Sequence, residues 1–157
     1  MIAATASRRF TLDTNILVYS VDRTEGRRYE LSKEIVSRAV RAECWLTLQA
    51  ISEFYSAVTR KKIILAAPAA ALAEIWLTTF PCASTSNGAV RRALAIAAVG
   101  RASYWDALLL ATAAEAGCSI ALTEDLADGA AFGGISVHHP FTRSGDLTEQ
   151  ARILLDP

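Results

Sequence analysis

The sequence predicts an α/β protein in which helices cover both faces of a central, mostly parallel sheet. Short apolar segments typical of buried strands alternate along the chain with longer segments that carry apolar residues at helical spacing. The segment 103–117 is apolar on nearly every face, which is typical of a buried helix. Because parallel strands need a long crossover between them, this alternation of strands and helices favours a parallel sheet.

The first part of the chain predicts two strand–helix pairs. Residues 8–12, RRFTL, predict a strand, and residues 25–41 predict a polar amphipathic helix. Residues 44–48, CWLTL, predict the second strand, and residues 49–62 predict the helix that follows it. That helix has four apolar side chains at the spacing of one face: Ile51, Phe54, Tyr55 and Val58.

The second part continues the same pattern. A helix with Pro68 in its first turn runs to about Thr79, since proline suits the start of a helix. An alanine-rich helix over 87–99 ends at Gly100, and the buried helix over 103–117 ends at Gly117. Strands are predicted at 81–85, 118–123 and 134–139, and a terminal helix at 147–155.

Composition indicates an ordinary globular protein with one hydrophobic core. The 157 residues are 52% hydrophobic and 20% charged, and the formal net charge is zero. Residues 1–62 nevertheless contain 11 Lys and Arg against 7 Asp and Glu, and the remainder contains 5 against 9. A basic half can bind a polyanion locally, although ordinary scatter of surface charge gives the same count.

The sequence predicts a cytoplasmic protein without a membrane span. The three cysteines are far apart and lack metal-ligand spacing, which is typical of reduced thiols. The first ten residues lack the pattern of a signal peptide. The apolar segment 63–80 is interrupted by Pro68 and contains Glu74, so it predicts a buried or partner-facing helix.

Four acidic residues stand at the ends of predicted elements. Asp13 follows the first strand and Asp125 follows the strand 118–123, while Glu53 and Asp106 lie in helices. Because parallel strands end at one edge of a sheet, these carboxylates are expected to meet there. Grouped carboxylates repel one another, and without Cys or His they suit a hard cation, Mg²⁺ or Mn²⁺.

Each acid also has a purely structural interpretation. Asp13 with the two polar residues after it fits a turn and helix cap, and Glu53 fits a solvated helix face. Ser103 and Asp106 have the spacing of a capping box, in which Asp106 also favours the helix dipole. Asp125 fits a turn. The functional interpretation is favoured because all four acids are expected at one edge of the sheet. Helix caps and turns alone would not require that common position.

The chain resembles PIN-domain proteins and, among them, the VapC toxins of bacterial toxin–antitoxin pairs. The matching segments are LDTNILVY, QAISEFYSAVTRK, SYWDALLLATAAEAGC and LTEDLADG followed by ISVHHPF. They occur in the order of the family and span residues 9–141 of a single domain, 1–157, with a tail at 142–157. The resemblance implies a three-layer α/β/α fold and a metal-dependent endoribonuclease that cleaves RNA phosphodiester bonds.

The resemblance also assigns residues and partners. It implies catalytic and metal-binding roles for Asp13, Glu53, Asp106 and Asp125. It further implies that Thr14 and Asn15 support the first acid and that Thr123 forms a hydrogen bond near the metal. The implied partners are an RNA substrate, a second copy of the chain and a small antitoxin protein. A partner surface is predicted on the helix before Thr79, with core packing as the alternative for its residues: Leu72, Ile75, Trp76 and Leu77.

Several points stay open at this stage. The family pattern usually has Asn before Pro-Phe, where this chain has His139, and no role follows for His138, His139, Glu124 or Asp128. The basic run 60–62 fits either the helix dipole or RNA contact.

Two other functions are alternatives to the ribonuclease. The first is a PIN-like module that binds RNA without cleaving it. A phosphotransferase with an aspartyl nucleophile would need a second acid at position 15, which is Asn.

Overall fold

The structure is a computed structural model that describes residues 8–156, and its strands and helices alternate as predicted. The strands are β1 (Phe10–Leu12), β2 (Leu46–Thr47), β3 (Cys82–Ala83), β4 (Ile120–Leu122), β5 (Ala131–Phe132) and β6 (Ile135–His138). The helices are α1 (Thr14–Tyr19), α2 (Arg27–Ala39), α3 (Leu48–Arg60), α4 (Ala66–Thr79), α5 (Asn87–Ala98), α6 (Tyr104–Glu115) and α7 (Glu149–Leu155), with a 3₁₀ turn at Arg23–Glu25. The predicted α/β class, with its mostly parallel sheet, is confirmed.

The sheet brings the carboxyl ends of three strands to one edge. Its order is β1-β4-β6-β5, and only the β5–β6 pairing is antiparallel. A parallel pair, β2 and β3, adjoins β1 through a parallel bridge between Phe10 and Cys44. The Trp45 N–H completes this contact by donating to the Phe10 carbonyl at 2.9 Å. Residues that follow β1, β2 and β4 therefore emerge on the same side of the fold.

The core explains why the central segments are so apolar. All of β1 is buried, and in α6 every residue from 107 to 113 is buried, as the apolar character of that helix predicted. Strands enclosed on both faces favour continuous apolar runs over alternating ones. Within the described part of the chain, no helix has the length and apolarity needed to cross a membrane.

Helix α1 was missed by the sequence interpretation. It begins at Thr14, directly after Asp13, which occupies the N-cap position in an extended conformation but makes no side-chain capping bond. Ile16, Leu17 and Val18 are buried, so the apolar run after the acid returns the chain to the core as a helix. Six residues are too few for helical periodicity to be recognised.

The structure places two apolar side chains on which the sequence interpretation depended. Tyr55 was expected on the buried face of its helix, but it is 39% exposed. For Trp76 the core-packing alternative holds, since the residue is buried and its ring lies 4.6 Å from that of Phe54 in an edge-on contact. The exposed apolar side chains that remain on α4 are Ile75 and Leu77, with Leu65 just before it.

The turn after α3 contains an unusual backbone conformation. The Ile63 N–H donates to the Val58 carbonyl and the Lys62 N–H to the Thr59 carbonyl, which is the Schellman arrangement of a helix end. In this arrangement Lys62 has φ of +56°, a left-handed conformation usually reserved for glycine. For a residue with a Cβ that conformation costs roughly 1–2 kcal/mol.

Replacing Trp76 by alanine tests its place in the core. Trp76→Ala should lower the free energy of unfolding by about 3–5 kcal/mol, because a large buried ring is lost and a cavity remains. The control is Leu94→Ala on α5, where the side chain is 54% exposed and the change should stay within about 0.5 kcal/mol. Urea denaturation gives both values. Equal effects of the two substitutions would contradict the burial of Trp76.

Candidate active site

Four carboxylates line one cleft of about 1350 Å³ at the carboxyl edge of the sheet. Asp13 follows β1 and Asp125 follows β4, as the strand order requires. Glu53 extends from α3, which begins directly after β2, and Asp106 lies in the first turn of α6. The structure therefore brings together all four acids that the sequence singled out.

Asp13 is the most buried of the four. Its side chain is 6% exposed, and its Oδ2 accepts a hydrogen bond of 2.8 Å from the hydroxyl of Thr123. The pKa of Asp13 is raised to about 8, chiefly by burial and also by the hydrogen bond and negative charge of Asp125, against a smaller lowering by Thr123. An ionised Asp13 is thus unfavourable until positive charge reaches it.

Asp125 is held by a side chain from α1. The Asn15 amide nitrogen donates to both carboxylate oxygens, at 3.1 and 3.0 Å. The Asp125 N–H donates to the Thr123 hydroxyl at 3.1 Å, so Thr123 links the backbone of one acid to the carboxylate of the other. Asn15 was expected to support Asp13; its hydrogen bonds go to Asp125 instead.

Glu53 is also fixed from α1. The Thr14 hydroxyl donates to one of its oxygens at 3.1 Å, and the Gln49 amide donates to the other at 2.7 Å. Gln49 also donates to the Trp105 carbonyl at 3.0 Å, which ties α3 to the start of α6. Thr14, like Asn15, thus holds a different acid from the one expected.

Asp106 combines both of its sequence interpretations. The Ser103 hydroxyl accepts from the Asp106 N–H at 3.1 Å and donates to its carboxylate at 2.8 Å, so the predicted capping arrangement is present. The same carboxylate faces the cleft. Burial raises the pKa of Asp106, the Ser103 bond opposes this, and the charges of Asp125 and Glu53 add to it.

The neighbouring acids and histidines left open by the sequence do not line the cleft. Glu124 forms a two-bond ion pair with Arg28, at 3.2 and 3.1 Å. Asp128 accepts from the His139 N–H at 2.9 Å and lies 3.9 Å from the His138 ring nitrogen. The His139 ring contacts the Leu126 carbonyl at 2.7 Å. These contacts hold the loop after Asp125 in place.

Sequence reasoning missed other lining residues. Trp105, beside Asp106, is 61% exposed although it is a large aromatic residue, and Gln49 orients Glu53. The far part of the cleft carries four cations: Arg23, Arg60, Lys61 and Lys62. A basic run at a helix end was visible in the sequence, but its position beside the acids depends on the fold.

The chemistry of these side chains fits a divalent cation. Among residues 8–156, no three Asp, Glu, His or Cys side chains are arranged so that they could hold a metal ion. Hydrogen bonds from neighbouring side chains occupy oxygens of all four acids. The donors are nevertheless all carboxylates, and burial, together with the negative charge of neighbouring acids, raises the pKa of Asp13 and of Asp106. A hard cation would supply that compensation.

Comparison with known proteins shows the family to which the chain belongs. The chain belongs to the PIN domain family, whose model matches residues 10–127. Solved structures of the same fold include VapC20 of Mycobacterium tuberculosis, a sarcin–ricin loop cleaving toxin. It has a TM-score of 0.63 and 16% identity, with 81% of this chain and 98% of that chain covered.

Two complexes are also similar. A toxin–antitoxin complex from Klebsiella pneumoniae has a TM-score of 0.56 and 23% identity, covering 80% of this chain and 93% of that chain. VapBC2 from Rickettsia felis, bound to a DNA fragment from its promoter, has a TM-score of 0.56 and 14% identity, covering 83% and 97%. At these identities the likeness shows the fold. Comparison with curated proteins finds no significant match.

The raised pKa of Asp13 predicts a specific pH dependence of stability. The raised pKa means that the folded state binds a proton at Asp13 more tightly than the unfolded state does. The stability that protonated Asp13 contributes is therefore complete below the ordinary pKa of 3.8 and is lost as the pH rises through about 8. In chelator, Asp13→Asn should therefore raise the melting temperature more at pH 8 than at pH 5. Thermal melts of both proteins across this range provide the test. A difference between them that does not change with pH would contradict the burial of an uncompensated charge.

Proposed function

We propose that the chain is a divalent-metal-dependent endoribonuclease and the toxin of a toxin–antitoxin pair. The observation that supports this most directly is the convergence of Asp13, Glu53, Asp106 and Asp125 in one cleft of a PIN fold. Burying an acid beside others destabilises the protein unless a cation offsets the charge. A solved neighbour is itself an RNA-loop-cleaving toxin, which agrees with the proposal.

The four carboxylates would hold Mg²⁺ or Mn²⁺, directly or through water. The bound ion would supply a Lewis acid that activates water and offsets charge at the phosphodiester. Thr123 keeps one oxygen of Asp13 oriented, and Asn15 does the same for Asp125. Trp105 offers an exposed aromatic face beside Asp106 on which a nucleotide base can stack. No side chain needs to act as the nucleophile.

A module that binds RNA without cleaving it is the second candidate. The cations in the far part of the cleft suit either function. The four acids distinguish them, because a phosphate that binds without a metal would be repelled by carboxylates. The two candidates therefore differ in whether RNA is cut and in whether cutting needs metal.

Cleavage of RNA in the presence of Mn²⁺ tests the proposal. Purified protein should cut mixed cellular RNA in Mn²⁺ and should stop in excess chelator, and Asp13→Asn should abolish cutting because a central ligand is lost. Sequencing of the cut ends identifies the sites. Cutting that continues undiminished in chelator would exclude the metal mechanism, and binding without any cutting would favour the second candidate.

Two substitutions at the start of α6 separate metal binding from helix capping. Asp106→Asn keeps a side chain that accepts hydrogen bonds but removes a carboxylate, so it should abolish cutting and reduce the rise in melting temperature on adding Mn²⁺. Ser103→Ala removes the cap, so it should lower the free energy of unfolding by about 1 kcal/mol and keep the full Mn²⁺ response. An undiminished Mn²⁺ response in Asp106→Asn would show that Asp106 only caps the helix.

The proposed toxin should form a homodimer and bind a small antitoxin. Similar folds occur in toxin–antitoxin complexes, and the exposed apolar side chains of Leu65, Ile75 and Leu77 lie on or beside α4. Such side chains are unfavourable in water unless a partner covers them. Light scattering should give the mass of a dimer, and Ile75→Asp should shift it towards the monomer. A wild-type monomer at tens of micromolar would contradict the dimer.

The antitoxin is tested separately. A neighbouring gene product expressed with the toxin should co-purify with it and suppress RNA cutting in Mn²⁺. Cutting that is equally fast with and without that product would contradict its assignment as the antitoxin.

A further inference from the structure

Lys62 occupies a backbone position where its own side chain is a disadvantage. Among residues 8–156, it is the only residue other than glycine with a positive φ, at +56°. The position follows the end of α3, where helices commonly place glycine because glycine has no Cβ. Lysine occupies this position against the local conformational preference, and strained residues of this kind cluster at functional sites.

The location of Lys62 agrees with a functional role. Helix α3 contributes Glu53 to the acidic part of the cleft, and its last residue, Arg60, lies about 10 Å further along the helix axis. Lys62 follows in the next turn and lines the same cleft. It is thus displaced from Glu53 along the cleft, where a strand bound across the acids would place another part of its backbone.

The charges of this region are available to a ligand. Within the described part of the chain, Arg23, Arg60, Lys61 and Lys62 have no carboxylate within 4.0 Å, whereas Arg28 is paired with Glu124. Two acids, Asp22 and Glu25, line the same part of the cleft. Asp22 accepts bonds from the N–H and hydroxyl of Thr24, so it is engaged within its own turn. All three residues of the run 60–62 are exposed.

We propose that Lys62 binds a backbone phosphate of the RNA strand at a distance from the phosphate that is cleaved. The chain keeps lysine rather than glycine at this position because the ammonium group contributes to RNA binding. This inference rests on the proposed ribonuclease function and adds a substrate-binding residue that lies outside the acidic set.

Lys62→Gly separates strain from charge. The substitution relieves the left-handed strain, so the protein should melt at the same temperature or up to about 3 °C higher. It should also bind a labelled, mixed-sequence single-stranded oligoribonucleotide about fivefold more weakly at 0.1 M salt. The reason is that each phosphate contact multiplies the binding constant by the molar salt concentration raised to the power of about −0.7. The slope of log affinity against log salt should fall by about 0.7. Binding is measured in chelator so that the probe is not cut, and the repulsion by the metal-free carboxylates is then the same in wild type and variant.

Two controls make the comparison specific. Lys62→Arg keeps the charge and should retain the affinity and the salt slope. Lys33→Ala removes a lysine of α2 that lies over the Tyr29 ring and does not line the cleft, and it should leave both quantities unchanged. A variant Lys62→Gly with wild-type affinity and salt slope would overturn the inference, as would one that melts lower than wild type.

The proposed function and this inference can fail separately. If the wild type cuts cellular RNA in Mn²⁺ and Lys62→Gly has the same kcat/KM, only the role of Lys62 is overturned. If the wild type binds the oligoribonucleotide through Lys62 but never cuts RNA, the ribonuclease proposal is overturned and the phosphate contact stands. A wild type that neither cuts RNA nor binds the probe overturns both.

Discussion

The burial of Asp13 at the carboxyl end of β1 is the constraint on which the site depends. The parallel register places Leu12 beside Leu122, so Asp13 and Thr123 leave their strands side by side. The Asp13 N–H donates to the Leu122 carbonyl at 3.0 Å, which continues the ladder to the acid itself. Backbone pairing thus holds the Asp13 carboxylate at a buried position, where too little water is present to stabilise its ionised form. The other acids lie in the elements packed around this point.

Helix α1 connects Asp13 to two of the other acids of the site. Because it begins directly after Asp13, its first two side chains reach different neighbours: Thr14 reaches Glu53 on α3, and Asn15 reaches Asp125 after β4. Three consecutive polar residues therefore connect three separate elements. A substitution in Asp13, Thr14 or Asn15 would therefore change the distances between the acids as well as the local turn. The DTN segment positions Glu53 and Asp125 in addition to supplying Asp13.

The sequence was sufficient to predict the fold class and the acids that line one cleft, but not the hydrogen bonds that position those acids. Alternating elements and the apolar character of α6 predict the layers, and parallel strands necessarily bring Asp13 and Asp125 to one edge. The partners of Thr14 and Asn15 are 39 and 110 residues away, so local pattern gives no information about them. For Trp76 the sequence left a partner surface and core packing both open, because α4 is apolar on most faces and periodicity then indicates no preferred face. Its burial depends on Phe54, a contact across two helices.

The two ends of the cleft present opposite charges, and in the proposed ribonuclease this arrangement would couple metal binding to RNA binding. At one end an acid is buried beside others, and at the other a lysine is held in a conformation suited to glycine. Each is unfavourable in the protein alone. A phosphodiester strand satisfies the cations but is repelled by the carboxylates unless a divalent ion lies between them. The proposed ion would therefore strengthen RNA binding at the acidic end, and by reciprocity bound RNA would strengthen binding of the ion. A cleft of uniform positive charge would bind RNA more simply, so the four acids favour the proposed cleavage of RNA over binding alone.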